Sequence, residues 1–372
     1  MTTIAPFQLE RYFALYEFSA PYLLSPSDCE SLRLPDLLAM ADQEMISLWQ
    51  NLGLGYTESS GHPLLRETIA GLYTSAQPAD ILVMAPEEAI FIAMQTLLSP
   101  GDEIVAVHPA YQSLHEVARS IGCQVNSWPL VHRDGGWHLD LQILEDQITS
   151  RTRLLVINFP HNPTGFIPTL NELSRILELA RRHHLFVFSD EMYRMLEYSP
   201  EQRLPAVCDL YEMGISLSGM SKSFSMPGLR IGWLATRAPG WIERWQTYKD
   251  YTTICNSAPS EVLAIMGLRA RRRILERNLA IIQKNFTTAD QFFRRHADRF
   301  TWIPPLAGSV AFPQWTGVGP VEKFCQDLVT QTGVMLVPGN LFGATGNHFR
   351  LGLGRKNFSE GLSYLEQFLL AN

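Results

Sequence analysis

Two hydrophobic patterns alternate along the middle of the chain. Short apolar runs occupy 81–84, 103–107, 124–131, 153–159, 185–189, 215–218 and 231–236. Between several of them, at 87–98, 112–121, 141–148 and 171–184, apolar residues recur every three or four positions. The first pattern is that of strands buried on both faces, the second that of amphipathic helices. Their alternation predicts an α/β fold, a three-layer large domain on a mostly parallel seven-stranded sheet, joined by a smaller α+β domain.

From Pro239 the alternation stops. Ile265, Leu268, Leu275, Leu279, Ile282, Phe286, Ala289 and Phe293 keep helical spacing apart from one missed turn, which predicts a single long helix. The tail from Val310 mixes strand patterns at 334–337 and 348–353 with a helical pattern on either side. At the other end, Pro21, Pro26 and Pro35 interrupt the apolar clusters of residues 1–45, which read as an arm with a first helix. Pro63, at a favourable first helical position, opens the next one after a turn at Gly53-Leu54-Gly55-Tyr56. The expected division is 1–45 as an arm and part of the small domain, 46–250 as the large ligand-binding domain, and 251–372 as linking helix and C-terminal small domain.

Composition narrows the function classes. Hydrophobic residues make up 46% and charged residues 18%, which suits a globular protein with ample core. A net charge of −7 argues against a nucleic-acid-binding surface. The basic cluster Arg269, Arg271, Arg272, Arg273 and Arg277 reads as the solvated face of the long helix. Cys29, Cys123, Cys208, Cys255 and Cys325 form no close pair, so neither a zinc site nor a disulfide scaffold is indicated and a reducing compartment is expected. No apolar run approaches the roughly 18 residues of a membrane span, and Met1–Pro6 lacks a basic region leading into an apolar core. The expectation is a cytoplasmic protein with no membrane, nucleic-acid or metal partner.

In parallel sheets ligands bind outside the carboxyl ends of the strands. The residues that follow the predicted strands therefore matter most. Lys222 stands among small residues in Ser218-Gly219-Met220-Ser221-Lys222-Ser223, after an apolar run and without an adjacent carboxylate. An amine in apolar surroundings loses part of its preference for the charged form and becomes a nucleophile, suited to a Schiff base with a carbonyl cofactor; an ordinary surface lysine fits the stretch equally well. Arg230 is a fixed cation suited to phosphate, and the helix starting near Glu87 presents backbone amides to an anion. Asp190 can hold a ring nitrogen protonated or cap a helix, and Tyr193 and Asn162 can hydrogen-bond a ring hydroxyl. Tyr111 offers a flat face for stacking. Arg350 can fork onto a carboxylate or pair with a surface acid, and Arg33 could be a second anion contact but reads more simply as a surface residue.

With these residues in order, the chain resembles the fold type I pyridoxal-phosphate enzymes, in particular the class I/II aminotransferases related to aspartate aminotransferase. The resemblance rests on Gly55-Tyr56 with Gly61-His62-Pro63, Pro100-Gly101-Asp102-Glu103 with Pro109-Ala110-Tyr111, and Asn158-Phe159-Pro160-His161-Asn162-Pro163-Thr164-Gly165. It continues through Ser189-Asp190-Glu191-Met192-Tyr193, Ser221-Lys222, Gly228-Leu229-Arg230-Ile231-Gly232-Trp233 and Phe349-Arg350-Leu351. It implies that Lys222 carries pyridoxal 5′-phosphate as a Schiff base and shuttles the substrate proton. By the same resemblance Asp190 pairs with the pyridine nitrogen, Asn162 and Tyr193 bond the ring oxygen, Tyr111 stacks on the ring, and Arg230 binds the phosphate. Arg350 would hold the α-carboxylate beside Asn162. Tyr56 would reach the phosphate of a neighbouring subunit, making the protein a homodimer with shared sites that acts on an amino acid and a 2-oxo acid.

Two departures stand out. Ala85-Pro86 occupies a place where relatives commonly have glycine and a small residue, and Pro86 has no N–H, so Glu87 and Glu88 must carry that helix start. Gly219 occupies a place where relatives commonly have a phosphate-binding hydroxyl, which leaves Ser218 or Ser221 to substitute. The residues also leave open a lyase, decarboxylase or cyclase with the same lysine and aspartate, and a non-catalytic ligand-binding module on the same fold.

Overall fold

A computed structural model describes residues 3–372, so residues 1 and 2 of the expected arm lie outside the described residues. All seven expected strand regions lie in one sheet of eight strands. The order across it is Ile81–Met84, Gly232–Thr236, Gly214–Gly219, Phe186–Asp190, Thr152–Asn158, Glu103–His108, Gln124–Arg133 and Gly136–Leu139. The eighth strand, Gly136–Leu139, folds back antiparallel on Gln124–Arg133 across an Asp134-Gly135 turn in which both residues have positive φ. Such a turn suits a hairpin, and the apolar run at 124–131 hid the second strand that follows it. Five neighbouring strands are parallel, and Gly232–Thr236 runs antiparallel to both its neighbours.

Each central strand sends alternate residues to two different cores. Ile104, Ala106, Leu154, Val156 and Phe188 pack against helices Pro86–Leu97 and Ser113–Ile121. Val105, Val107, Leu155, Ile157 and Val187 pack against helix Leu170–Arg182 on the other face. Both faces being covered is why these strands read as continuous apolar runs. A third core, under Val83 and Trp233, gathers Leu65, Ile69, Val262 and Ile265.

The single long helix expected across 265–293 is two helices, Ala258–Arg269 and Arg271–Arg295, meeting at Ala270. The missed turn in the pattern marks the break. Ahead of it Val262, Ile265 and Met266 face the large sheet's core, and behind it Ile282, Ala289 and Phe293 face an aromatic core around Phe300, Phe324 and Phe349. One straight helix could not turn its apolar stripe from one core to the other. Arg269 at the junction pairs with Asp42 and Glu44, and Arg272 pairs with Glu276.

The aromatic core lies under a three-stranded antiparallel sheet of Val310–Ala311, Phe349–Gly352 and Val337–Pro338. The N-terminal segment joins this part of the molecule: Tyr22–Leu23 pairs in parallel with Val334–Met335. Helix Gln8–Tyr16 precedes that strand, and Ser27 after it lies within hydrogen-bond reach of Tyr193 and Lys222, which follow two strands of the large sheet. No helix among the described residues is long and apolar enough to cross a membrane, and no cluster of three or more of their His, Cys, Asp or Glu residues is arranged to hold a metal.

The second half of the broken helix also anchors the lysine segment. Asn278, fully buried, donates from Nδ2 to the Ser223 carbonyl at 2.9 Å. Asn278→Ala leaves that carbonyl unpaired, and urea denaturation is expected to show a loss of about 1–3 kcal/mol.

Candidate active site

Parallel register brings the strand ends level. Asn158 stands opposite Asp190, and Asp190 opposite Leu217. The side chain of Asn158, polar at the end of an apolar run, ties two of these ends together. Its Nδ2 donates to the Asp190 carbonyl at 2.8 Å, and its Oδ1 accepts from the Asn162 N–H at 2.8 Å. Beyond this edge lies a cavity of about 570 Å³, lined among others by Tyr111, Asn162, Asp190, Lys222, Arg230 and Arg350. Six residues scattered over the sequence thus share one space.

Lys222 follows the strand Gly214–Gly219, in a loop closed by the Met220 N–H on the Ile231 carbonyl and the Met226 N–H on the Met220 carbonyl. Ser223 Oγ clamps the same loop to the Met192 and Arg194 carbonyls, at 3.0 and 2.7 Å. Burial pushes the Lys222 pKa down, against the pull of Asp28, and its Nζ donates to Ser27 Oγ at 2.8 Å. It makes no ion pair among the described residues. An amine held this way is closer to its neutral, nucleophilic form than a solvated lysine.

Asp190 is 7% exposed, and burial raises its carboxyl to about 7. Its Oδ1 accepts from the Met192 N–H at 3.1 Å, while Oδ2 has no hydrogen-bond partner among the described residues. Tyr193 donates its hydroxyl proton to the Ser27 carbonyl at 2.9 Å, which leaves only oxygen lone pairs for any other group. Asn162 accepts from Arg350 Nη1 at 3.4 Å through Oδ1, and its NH₂ has no other partner among the described residues. Tyr111 packs beside Phe7 of the arm, ring centroids 5.0 Å apart.

Arg350, on strand Phe349–Gly352, is 1% exposed. Its Nε donates to the Ser25 carbonyl at 3.0 Å, and its guanidinium lies 5.1 Å from the Phe342 ring centre and 5.8 Å from that of Phe13. Burial pushes its pKa down, and no carboxylate of the described residues pairs with it. A buried guanidinium with no counter-ion is a receptor for an anion. Arg230 sits at a left-handed position, φ 54°, and beyond the Pro227 carbonyl its guanidinium has no hydrogen-bond partner among the described residues.

Not every expected residue reaches the cavity. Glu87 and Ser221 line it, and burial pushes the Glu87 carboxyl up. Glu88 does not; its Oε1 accepts from the hydroxyls of Thr252 and Thr253. Tyr56 lies outside it and is 91% exposed. Arg33 pairs with Asp36 on the surface. Conversely, Ser27 and Asp28 line the cavity, and sequence reasoning did not single them out. The only local signal was the prolines of the arm, which mark irregular chain without saying what it covers.

The two departures lie side by side in the structure. Pro86 opens helix Pro86–Leu97, and its ring lies over two glycines. A Cβ on Gly232 would stand 2.7 Å from Pro86 Cγ, and one on Gly219 3.3 Å from it and 2.9 Å from the Gly232 Cα. At Gly219 the neighbouring strand is the tighter limit, with the Gly232 Cα at 2.9 Å and the Ile231 carbonyl oxygen at 3.0 Å, so a hydroxyl side chain there would collide with backbone while the proline ring crowds it only from 3.3 Å. Pyridoxal phosphate fits what remains. The unpaired Oδ2 of Asp190 suits a protonated ring nitrogen, the buried amine of Lys222 a carbonyl carbon, and Arg230 with the free amides of the helix start a phosphate.

Comparison with known proteins agrees with this chemistry. The family described as "Aminotransferase class I and II" matches residues 30–358. The chain is 29% identical over 309 residues to an aspartate aminotransferase of Musicola paradisiaca, covering 80% of this chain and 76% of that protein. Among solved structures, a PLP-dependent aminotransferase from Streptococcus suis superposes with a TM-score of 0.93 at 31% identity, covering 99% and 98% of the two chains. A PLP-dependent cyclase, OrfR, superposes with a TM-score of 0.90 at 26% identity, covering 99% and 97%.

The proline–glycine contact is open to a double-mutant cycle. Gly232→Ala is expected to cost about 1–3 kcal/mol by overpacking. In a Pro86→Ala background part of that cost should vanish, with a coupling on the order of 1 kcal/mol in urea denaturation. Strict additivity would show that the ring and the glycines are unrelated.

Proposed function

The chain belongs to the class I and II aminotransferases, and we propose that the cavity at the carboxyl edge of its large sheet is where it moves the amino group between an amino acid and a 2-oxo acid. The enzyme is pyridoxal-phosphate dependent. The observation that carries the site assignment is the convergence of an unpaired buried amine, an unpaired carboxylate oxygen and an unpaired buried guanidinium on one space. When bound, pyridoxal phosphate supplies a carbonyl for amine capture and a protonated ring that withdraws electrons from the substrate's Cα.

The chain's own residues do the rest. Arg350 takes the substrate's α-carboxylate beside Asn162, whose Oδ1 accepts from its Nη1, and this fixes which Cα bond faces Lys222. Lys222 accepts the Cα proton and returns one, a task suited to an amine whose pKa burial has lowered. Asp190, raised by burial when unpaired, falls back toward an ordinary carboxylate beside a ring N–H⁺ and so keeps that proton in place. Arg230 and the amides at the start of helix Pro86–Leu97 hold the phosphate, with Ser221, the cavity-lining neighbour of the lysine, offering a hydroxyl. Arm residues Phe7 and Phe13 line the cavity too and limit water around the proton transfer.

Tyr56 supports an active homodimer. It is exposed in a loop with Leu54, 84% exposed, and hydrogen bonds tie this loop to the segment carrying Tyr251, 90% exposed: Thr57 Oγ1 to the Asn256 carbonyl and Ser59 Oγ to Asp250. An apolar, aromatic patch of this kind suits a second copy of the chain, whose cavity would receive Tyr56. The cyclase among the structural relatives keeps a second reading in view, because the same lysine and aspartate serve ring closure.

Two experiments test these assignments. Lys222→Ala should lower amino transfer by at least roughly 10²–10⁴-fold in stopped-flow half-reactions, and borohydride should no longer attach the cofactor to the chain. Sedimentation should show a dimer, and Tyr56→Phe should weaken cofactor retention about tenfold by equilibrium dialysis. A monomer whose cofactor affinity ignores Tyr56 would overturn the shared site.

A further inference from the structure

The charged groups lining the cavity do not cancel. Asp190 answers a ring nitrogen, Arg230 a phosphate, Lys222 a carbonyl and Arg350 an α-carboxylate. The remaining cation, Arg355, is already neutralised: its guanidinium pairs with Asp28 at 3.2 Å and donates to the Cys29 carbonyl at 3.0 Å. A second carboxylate on the substrate would therefore find no free cation in the cavity. Carboxylates, by contrast, are in excess. Glu87 stands on the cofactor side, at the start of helix Pro86–Leu97. Glu10 and Glu17 also line the cavity, and neither has an ion pair or a side-chain hydrogen bond among the described residues.

Their placement has a direction. Glu10, Phe13 and Glu17 follow three- and four-residue spacing, so they lie along one side of helix Gln8–Tyr16 and its C-cap, over about 10 Å at 1.5 Å per residue. Phe13, in the middle, is the residue whose ring faces the Arg350 guanidinium, 5.8 Å away. A substrate with its carboxylate on Arg350 thus extends its side chain along Phe13, with a carboxylate one turn to either side. Glu17 caps the carbonyl end of the helix, where the backbone adds negative potential and the last turn carries no basic residue. Its carboxyl is raised by burial first and by Glu10 and Asp28 next, with Arg355 and Lys222 pulling it the other way less strongly.

We propose that this site takes amino acids whose side chain ends in an ammonium or guanidinium, with Glu10 and Glu17 receiving that cation and Phe13 packing on its methylene stem. The proposal rests on the aminotransferase reading of the cavity. Phe13 and the two acids together favour a side chain that is apolar along its length and positive at its tip. Aspartate and glutamate are disfavoured because their second carboxylate would meet two like charges.

Two separate readouts test this. Binding is followed by spectral titration of the holoenzyme with L-arginine, L-lysine, L-alanine, L-aspartate and L-glutamate, and amino transfer by the single-turnover loss of the cofactor's visible band. The cationic amino acids should bind at least roughly tenfold more tightly than the dicarboxylic ones. In Glu10→Gln/Glu17→Gln the ratio of kcat/KM for arginine to that for alanine should fall about tenfold, while the same ratio for aspartate rises. Preference for a dicarboxylic amino acid, or a ratio unmoved by the double substitution, would overturn the proposal and leave aminotransfer standing. Cationic amino acids that bind preferentially but release ammonia or a cyclised product would uphold the substrate class and overturn the aminotransferase reading.

Discussion

An amine buried without a carboxylate is the constraint on which the rest of this molecule depends. Taking an ammonium out of water costs several kcal/mol unless it is paired or neutral. Lys222 is offered a hydroxyl, Ser27 Oγ, in place of a counter-ion. The surrounding bonds keep it from swinging out to solvent: Ser223 to the Met192 and Arg194 carbonyls, and Asn278 to the Ser223 carbonyl. The sheet, the linking helix and the arm each contribute one of these restraints. Weakening any of them would let the lysine recover a solvated, charged form and lose its chemistry.

The same tension recurs at the other polar groups of the cavity. Asp190 and Arg350 are buried, and each keeps hydrogen-bonding capacity unused by the described residues. Their costs are offset only when a cation meets one and an anion the other, so ligand binding and local stability are linked. The cavity is thus preorganised for a ligand with a cationic ring at one end and a carboxylate at the other.

Much of the fold was legible because buried parallel strands and amphipathic helices leave different periods in the sequence. The hairpin strand Gly136–Leu139 and the break at Ala270 were not. The strand was hidden behind the long apolar run before its turn, and the missed turn marked the place of the break without showing that the two halves face different cores. Tyr111, Asn162, Asp190, Lys222 and Arg350 were legible as candidates because each follows or sits on a strand, and they share one cavity. Pro86 and Gly219 looked like two independent defects in the phosphate site. In space they are neighbours: the proline ring lies closest over Gly232, and Gly219 is held small first by the backbone of the adjoining strand.

What the sequence determined by itself was the set of chemical parts and the existence of a mostly parallel sheet, because buried strand runs and the polar residues that follow them are local signals. The tertiary structure alone decided how charge is distributed around those parts. Arg355 is removed from service by Asp28, a partner 327 residues away in the chain, and Ser27 reaches Lys222 across 195 residues. Glu10 and Glu17 belong to a helix with no motif, and only its position over the carboxyl edge turns them toward the cavity. Coulomb interactions depend on distance through space, and distance along the chain carries almost none of that information.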